Sequence, residues 1–414
     1  MSSFINTVGT IGEYCKVGDG AHASIRRIDS GVPYLMSRNL KNGTLDLTKI
    51  SYISEADFQK HFKDSGKAVS KVRENDVVFG IIGSLGGAYL VRKLDRFGIS
   101  SSVAILRPDV SFLFPQYLFY WVQGHIFQDA LFGIKGGVAQ GYVSLEMIKS
   151  LPLAIPPLQA QKRVSEILTA YDALIENNTR RIEILEEMAR RLYEEWFVQF
   201  RFPGHEDVVF EKMPIHNVAD VVRGRSYRSA DLAEKGRPFV NLKCINRDGG
   251  YRRDGLKYYS GKYGAEQLVR AGDIVMAVTD MTQERRIVAR AALVPDLGEL
   301  EGVISMDLVR IVPKNGIPAL YLYAFFRWSD FSDNVKNHAT GANVLHLHPD
   351  LIANYDIDLP PPEVCQAFAE KVRPAIELAD VLEKKNANLR AQRDLLLPKL
   401  ISGEIDVSDI PMAT

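Results

Sequence analysis

Cysteine is scarce in this chain. Only three occur among 414 residues, at Cys15, Cys244 and Cys365, and none belongs to a CxxC pair. This scarcity disfavours a disulfide framework and a cysteine-based zinc site, and it fits a reducing cytosol. The length favours two or three domains, each large enough to bury its own core.

Long apolar runs are also missing, as is an N-terminal segment in which positive charges precede an apolar stretch. Neither export nor membrane insertion is therefore predicted, and the expected location is the cytoplasm.

The familiar catalytic motifs do not occur. The stretch from Gly80 to Gly87 follows a strand-like run but lacks GxGxxG spacing. The sequence has no GxxxxGK[ST] loop, no Asn-Pro-Pro-aromatic tetrapeptide, and no Pro-Asp followed closely by an acidic-x-Lys triplet. His346 and His348 alternate as on a strand and have no third ligand nearby. We therefore predict no catalytic residue, no metal ligand and no cofactor held by this chain.

What the sequence does contain is a duplication. Gly137, Ile148, Leu153, Ile155 and Pro156-Pro157 recur 204 residues later as Gly341, Ile352, Ile357, Leu359 and Pro360-Pro361. GVPYL, from Gly31, is matched by GRPFV, from Gly236. VRENDVVF, from Val72, is matched by VRAGDIVM, from Val269, at a shift of 197. The halves therefore differ by loop insertions, and two similar sites are expected.

The zero net charge hides an uneven distribution. Residues 16–107 contain 15 Lys and Arg against 9 Asp and Glu, and residues 223–290 contain 15 against 8. Residues 176–195 lean the other way, with six Glu against four Arg. Two basic globular regions on acidic-leaning helices are typical of a protein that binds DNA at two places. Ordinary solvated surface charge is the alternative reading.

Each proline pair precedes a predicted long helix with a heptad pattern. A repeat of 3.5 residues puts one apolar seam on one helix face, which is typical of a coiled coil. The first helix, from about Gln159 to Phe200, would be about 60 Å long. The predicted seam residues of the first helix are Val164, Leu168, Tyr171, Ile175, Asn178, Ile182, Leu185, Ala189, Leu192 and Trp196, and those of the second are Ala379, Leu382, Asn386, Leu389 and Leu396.

The two helices are expected to pack antiparallel against each other, because neither seam suits a lone surface helix. Antiparallel packing of two equivalent helices would give internal pseudo-twofold symmetry. In the second helix we expect a short helix from about Glu363 and a kink or break near Arg373, before Pro374. An end or bend is expected at Pro398, because proline interrupts helical hydrogen bonding.

Each globular region is predicted to be α+β, with strand-like runs such as Val77 to Ile82 and Asp273 to Val278, followed by aromatic-rich helices. The loops between these elements are polar, and planar or charged donors on them could reach base edges and phosphates. The candidate DNA contacts are Arg26, Arg27, Arg38, Lys41, Ser84, Arg225, Tyr227, Lys243, Arg252, Arg253, Gln283, Arg285 and Arg286.

Three segments together resemble the DNA-specificity subunits of type I restriction-modification systems. They are GVAQGYVSLEMIKSLPLAIPPLQAQ (Gly137 to Gln161), LIENNTRRIEILEEMARRLYEEWFVQFRFPG (Leu174 to Gly204) and LLLPKLISGEI (Leu395 to Ile405). Together they cover 67 of the 414 residues. The sequence departs from the family pattern at Cys365-Gln366 and at Pro374, which affects the first turns of the second helix.

The resemblance implies a fold with two target-recognition domains, residues 1–155 and 203–359, and two conserved helices, residues 156–202 and 360–414. It further implies a non-catalytic, DNA-binding subunit in which each domain reads half of a bipartite double-stranded target and the helices set the spacer. Two modification (methyltransferase) subunits and restriction/translocase subunits would be its partners. S-adenosylmethionine, ATP and Mg²⁺ would be bound by those partners.

Two other functions stay open at this point. A coiled-coil scaffold with two protein-binding lobes would bind its partner without dependence on salt. An enzyme with an unrecognised motif would transfer methyl groups or cleave DNA on its own.

Overall fold

The computed structural model describes residues 7–41, 43–63, 69–136 and 143–407. The chain divides into two compact units, which we call the first unit (residues 1–177 and 386–414) and the second unit (residues 178–385). None of the described helices combines the length and the apolar character needed to cross a bilayer.

The first unit mixes short strands with helices. Its strands are β1 (Thr7–Thr10), β2 (Cys15–Asp19), β3 (Val32–Leu35), β4 (Leu40–Lys41), β5 (Thr44–Leu45), β6 (Ser51–Ile53), β7 (Val77–Gly80), β8 (Ala88–Leu90), β9 (Gly98–Ile99), β10 (Val103–Pro108) and β11 (Pro152–Ile155). Its helices are α1 (Ile11–Tyr14), α2 (Glu55–His61), α3 (Pro115–Gln123), α4 (His125–Gly136), α5 (Leu145–Lys149) and the start of the long α6 (Leu158–Tyr193).

The second unit repeats this order of elements with additions. Its strands are β12 (Glu211–Pro214), β13 (Ala219–Arg223), β14 (Leu232–Ala233), β15 (Arg237–Val240), β16 (Lys257–Tyr259), β17 (Leu268–Val269), β18 (Ile274–Ala277), β19 (Thr279–Asp280), β20 (Ala291–Leu293), β21 (Gly302–Ile304), β22 (Leu308–Pro313), β23 (Leu345–His346) and β24 (Asp356–Leu359). Its helices are α7 (Ala319–Trp328), α8 (Phe331–Val335), α9 (Pro349–Ala353) and the start of the long α10 (Pro362–Ser402).

The central sheets of the two units have the same topology. The strand order is β2-β10-β7-β8 in the first unit and β13-β22-β18-β20 in the second, and every neighbouring pair is antiparallel. The short ladders β1-β11 and β12-β24 match in register at a shift of 204, since Thr7 pairs with Ile155 and Glu211 pairs with Leu359. The α+β class and the two similar domains predicted from the sequence are confirmed.

Each central sheet is covered on both faces. Successive strand side chains point to opposite faces, and in β10 Ala104 and Leu106 join one core cluster while Val103 and Ile105 join another. The second unit follows the same rule, because Met276 of β18 belongs to one cluster and the adjacent Val275 to the other. Burial on both faces explains why these strands are almost continuously apolar.

Within the first unit, the start of α6 packs antiparallel on the end of α10. Val164 and Leu168 share a core cluster with Leu400 and Ile401. Further along α6, Asp172 accepts a hydrogen bond from Arg393 Nη1 at 2.6 Å. Residues later in α6 therefore contact residues earlier in α10, as expected of an antiparallel pair.

Within the second unit, the same two helices again run antiparallel. Ile182 of α6 shares a small cluster with Ala379 and Leu382 of α10. Beyond it, Trp196 and Tyr193 pack on Phe368 with ring centroids 6.0 and 6.2 Å apart. A π-helical turn, Glu194–Val198, ends this helix.

The fifteen predicted seam residues are all buried or half-buried, whereas most of the residues between them are exposed. Asn386, a polar member, is fully buried, and its Nδ2 lies 3.4 Å from the carbonyl oxygen of Ile175 as a donor. The pseudo-twofold symmetry and the four domain boundaries stay predictions.

Of the kink or break expected near Arg373, the break is wrong, because α10 is continuous from Pro362 to Ser402. A kink there stays a prediction. Pro374 removes one backbone N–H donor, so the carbonyl of Glu370 loses its usual partner. Tertiary packing on both sides offsets this loss, since Val372 is 3% and Ala379 8% exposed. The helix also continues past Pro398 to Ser402 and does not end there.

Candidate nucleic-acid interface

The two units present exposed cations at equivalent positions. In the first unit β3 pairs parallel with β9 and leads into a 3-10 helix, Ser37–Asn39, which carries Arg38. In the second unit β15 pairs parallel with β21 and leads into a 3-10 helix, Leu242–Cys244, which carries Lys243. Both side chains are exposed. The duplicated scaffold therefore displays one free cation at the same point twice.

In the first unit this 3-10 helix is tied to the glycine-rich loop after β7. The Ser37 hydroxyl donates to the carbonyl of Ile82 at 2.6 Å, and the backbone N–H of Ser37 donates to Ser102 Oγ at 3.1 Å. Ser84, exposed on the loop, thereby lies on a segment fixed to the one that carries Arg38. The segments that carry two of the predicted DNA contacts, Arg38 and Ser84, are therefore hydrogen-bonded to each other.

The other first-unit candidates lie on neighbouring connections. Arg26 and Arg27 are exposed between β2 and β3, and the Arg27 guanidinium lies 3.9 Å above the ring of Tyr34. Arg27 Nη1 also donates to the carbonyl of Ile25 at 2.8 Å, which orients its side chain. Lys41 is exposed at the end of β4.

In the second unit three of the candidates line one shallow pocket. Lys243, Arg252 and Arg286 meet there, together with Arg247. Arg247 is not among the contacts predicted from the sequence. It belongs to the turn Asn246–Gly250, whose residues Asn-Arg-Asp-Gly-Gly are a strong turn signal. Arg252 pairs with Asp254 at 2.7 Å, but both side chains are largely exposed, so water and salt screen this pair.

The remaining wall of this pocket is the segment after β18. Asp280 is 4% exposed, and its carboxylate accepts hydrogen bonds from Thr282 and from the backbone N–H of Ile287. Gln283 Nε2 donates to the carbonyl of Ala342 at 3.0 Å. Arg285 adopts a φ of 53°, in the left-handed region, and is half-buried.

Arg225 and Tyr227 follow β13. Arg225 forms a parallel bridge with Ser305. The preceding Gly224 permits this approach, because a Cβ there would lie 2.0 Å from the carbonyl oxygen of Ser305. Tyr227 packs edge-on against Phe239 at 4.7 Å, and burial raises the pKa of its hydroxyl. Both side chains are half-buried, so they are less available to DNA than the exposed residues.

Arg253 points to the long helix. Its guanidinium pairs with Asp380 of α10, and its Nη1 lies 3.4 Å from the carbonyl oxygen of Asp296. Lys384 of the same helix pairs with the Asp296 carboxylate at 2.8 Å. Arg253 therefore links the segment that carries Arg252 to α10, and a DNA contact by Arg253 stays a prediction.

The arrangement is suited to phosphate and base contacts. No ion pair with an acid involves Arg38, Lys41, Lys243 or Arg286 within the described ranges, so their charge is free for an anionic partner. Unpaired exposed cations on loops supply the salt-dependent part of DNA affinity. The three thiols are unsuited to nucleophilic chemistry, because burial raises the pKa of Cys15 and of Cys365 to about 12 and raises that of Cys244. Across the described ranges, no three His, Cys, Asp or Glu residues are grouped so that they could hold a metal ion.

Comparison with known proteins gives a family match for part of the chain. Residues 11–187 match the family described as the type I restriction modification DNA specificity domain. The chain is 21% identical over 416 residues to the type I restriction enzyme MjaVIII specificity subunit of Methanocaldococcus jannaschii, covering 96% of this chain and 94% of that protein. It is 22% identical over 409 residues to the HindI specificity subunit of Haemophilus influenzae, covering 82% and 88%.

The fold has a counterpart among solved structures. The crystal structure of a type I restriction-modification S subunit from M. genitalium covers 100% of this chain, which in turn covers 98% of that one. The TM-score is 0.60 and the sequence identity 15%. Two mixed α/β units, each packed on two antiparallel helices, therefore give this chain the fold of that S subunit. Residues 11–187 thus match the DNA specificity domain of type I restriction-modification systems, and the chain is similar over most of its length to type I specificity subunits.

Proposed function

We propose that this chain is the non-catalytic subunit that reads a bipartite double-stranded DNA target, one half-site per globular domain. The observation that carries the proposal is the repeated placement of Arg38 and Lys243, each exposed on a 3-10 helix after the strand that forms the parallel pair. Two half-sites at a set helical phase suit a protein with two like reading surfaces.

The paired helices are proposed to set the spacer between the half-sites and to dock two modification subunits, with restriction/translocase subunits joining that complex. The antiparallel pairing of α6 and α10 inside each unit supports a stiff connection. S-adenosylmethionine, ATP and Mg²⁺ would act on the partner subunits, and the complex would act in the cytoplasm.

Reconstitution tests the division of labour. The purified chain should bind DNA weakly in a salt-dependent manner and should methylate nothing when supplied with S-adenosylmethionine. Addition of its modification partner should produce methylation at one bipartite sequence, read by methylome sequencing of a plasmid library. Methylation by the chain alone would contradict the proposal, and salt-independent binding of protein partners without DNA would favour a scaffold.

The spacer role is tested by inserting one heptad in each long helix at the boundary between the units, after Asn177 and after Lys385. These points leave the contacts inside each unit intact. Seven residues add about 10 Å of helix in phase with the seam, which corresponds to about three base pairs of DNA.

Methylation of a library that varies only the spacer should then shift to longer spacers, with both half-sequences unchanged. A single insertion, in either helix alone, is the matched control and should disrupt pairing. If the doubly lengthened protein is folded and methylates only the original spacer, the helices do not set the spacing.

A further inference from the structure

The segment between β18 and β20 is anchored at both ends and exposed between them. At its start, Thr279 and Asp280 pair with His346 and Leu345 of β23. At its end, Val288 and Ala289 are fully buried. Seven residues lie between these anchors. The first six, Met281–Arg286, are exposed except for the half-buried Arg285, and Ile287 is half-buried. We call this stretch the 281–286 loop.

One buried carboxylate joins the two ends of this loop. Asp280 Oδ1 accepts from the backbone N–H of Thr282 at 2.8 Å and from its hydroxyl at 2.9 Å. Asp280 Oδ2 accepts from the backbone N–H of Ile287 at 3.2 Å. A buried carboxylate is costly unless it is fully hydrogen-bonded, so these three bonds strongly favour one loop conformation. That conformation places Arg286 beside Lys243 and Arg252 in the shared pocket.

The corresponding connection of the first unit, residues 81–87, which the structure describes throughout, is built differently. This connection, between β7 and β8, is shorter and closes on itself, because Gly80 and Gly86–Gly87 exchange backbone hydrogen bonds. It displays Ser84 and no cation. The clamped loop is therefore a feature of the second unit.

We propose that Asp280 is a positioning residue that fixes the 281–286 loop as the base-reading element of the second unit, and that Arg286 reads a guanine there. This inference rests on the proposed function. Arginine donates two parallel hydrogen bonds to the O6 and N7 acceptors of guanine, and the geometry of this pair requires a defined backbone position. Arg286 is exposed and, among the described residues, forms no ion pair, so its guanidinium is free for that contact.

The experiment measures methylation by the full complex of chain and modification partner on a library with every single base-pair change in both half-sites. Arg286→Ala should reduce discrimination at one G·C pair of one half-site by roughly 5- to 150-fold. Asp280→Asn should reduce discrimination at the same pair by about tenfold, because an amide cannot accept from both Thr282 and Ile287. The other half-site should be unchanged in both variants.

Asp273→Asn is the matched control. Asp273 also accepts a backbone hydrogen bond, from Arg270 at 2.9 Å, and pairs with Arg310 at 3.6 Å, but it lies outside the loop. This variant should lower stability without altering the sequence profile. If Asp280→Asn does not fold, Thr282→Val removes one of the three clamp bonds at an exposed site and should give a weaker form of the same profile.

Three outcomes overturn the inference. Equal loss on all sequences with Asp280→Asn would make Asp280 merely structural. Equal loss with Arg286→Ala, together with a salt slope lower by about one, would make Arg286 a phosphate contact. Loss of discrimination in both half-sites with Arg286→Ala would show that the loop does not read a single half-site. If the unaltered complex methylates no bipartite sequence, the proposed function itself fails.

Discussion

The first and second units have central sheets of the same topology. They differ in the connection that follows β7 in the first unit and β18 in the second. Residues 81–87 join β7 to β8 through a tight glycine turn, whereas residues 278–290 join β18 to β20 through an additional strand and the clamped loop. Buried strands tolerate few changes because their side chains fill two core layers, while surface connections tolerate insertions. The scaffold is therefore shared and the reading surface differs.

The units also differ in how their globular parts are fastened to α6. In the first, Tyr120 donates its hydroxyl to Asp172 at 2.7 Å, and Arg393 of α10 shares that carboxylate. In the second, Arg327 of α7 donates to Glu186 at 2.9 Å and to the Tyr323 hydroxyl. Each network combines a tyrosine, an arginine and a carboxylate of α6, but the arginine comes from the long helix in one unit and from the globular part in the other.

The three cysteines allow the unfolding of each unit to be measured separately. Cys15 is buried in the first unit, and Cys244 and Cys365 are buried in the second. Their raised pKa values keep them as neutral thiols at pH 8, so alkylation requires opening of the structure. The denaturant concentration at which each thiol becomes labelled, resolved by mass spectrometry, reports on its own unit.

The largest loss of stability is expected from Phe368→Ala. Phe368 is fully buried among Tyr193, Trp196, Phe197 and Tyr321. Loss of its ring should destabilise the second unit by about 3–5 kcal/mol. Labelling of Cys244 should shift to lower denaturant while labelling of Cys15 stays unchanged.

Leu168→Ala is the counterpart in the first unit, since Leu168 is fully buried there. It should shift Cys15 labelling and leave Cys244 unchanged, with a loss of about 2–5 kcal/mol. If either variant shifts both thiols equally, the units unfold as one and the comparison between them is broken.

A smaller effect is expected from removing the α6 carboxylates. Glu186→Ala leaves the guanidinium of Arg327, which is 12% exposed, without its acid partner. A loss of about 2 kcal/mol follows from an unpaired, mostly buried donor, read by Cys244 labelling. Asp172→Ala should have a smaller effect, read by Cys15 labelling, because Tyr120 and Arg393 each lose one acceptor but keep another, on Thr169 and Asp394 respectively. An effect on the wrong thiol in either variant would contradict the assignment of the networks to separate units.

The next effect concerns DNA. Arg38→Ala and Lys243→Ala remove the cations at equivalent positions of the two units, so each should weaken binding of the bipartite target by about fivefold, roughly 1 kcal/mol. Each should also lower the salt slope by about one if its contact is with phosphate. Titrations of the whole complex at several salt concentrations measure both quantities. Unequal changes would show that the repeated scaffold presents the two cations differently to DNA.

The sequence predicted most of what depends on local periodicity. The seam positions are recognisable because apolar residues recur every 3.5 residues on average in the sequence. Leu168 and Leu382, predicted in this way, are buried in the structure. Local periodicity does not show that the helix continues without a break past Arg373, because the packing that offsets Pro374 comes from residues far away in the chain.

The reading surface was only partly accessible from the sequence. Gly, Asn and Arg-rich stretches marked the loops, but the meeting of Lys243 with Arg286 depends on the order of β15, β21, β22 and β18 in space. Arg253 illustrates the same limit. Its neighbour Arg252 lines the pocket, and its own side chain pairs with Asp380, more than a hundred residues later.

The smallest losses of stability are expected from removing the arginine partners of two equivalent acidic residues on α6 and α10. Glu176 and Asp380 are 204 residues apart, and each pairs with an arginine of its own unit. The Arg92–Glu176 pair is 3.9 Å long, with both side chains more than 60% exposed, whereas Arg253 is 26% and Asp380 39% exposed. Exposed pairs contribute about 0–1 kcal/mol because water and salt screen them. Arg92→Ala should therefore shift Cys15 labelling by less than about 0.5 kcal/mol, and Arg253→Ala should shift Cys244 labelling by a larger amount. If Arg92→Ala is the more damaging of the two, the connection of the first unit to α6 depends on this surface pair more than on the network of Tyr120, Asp172 and Arg393.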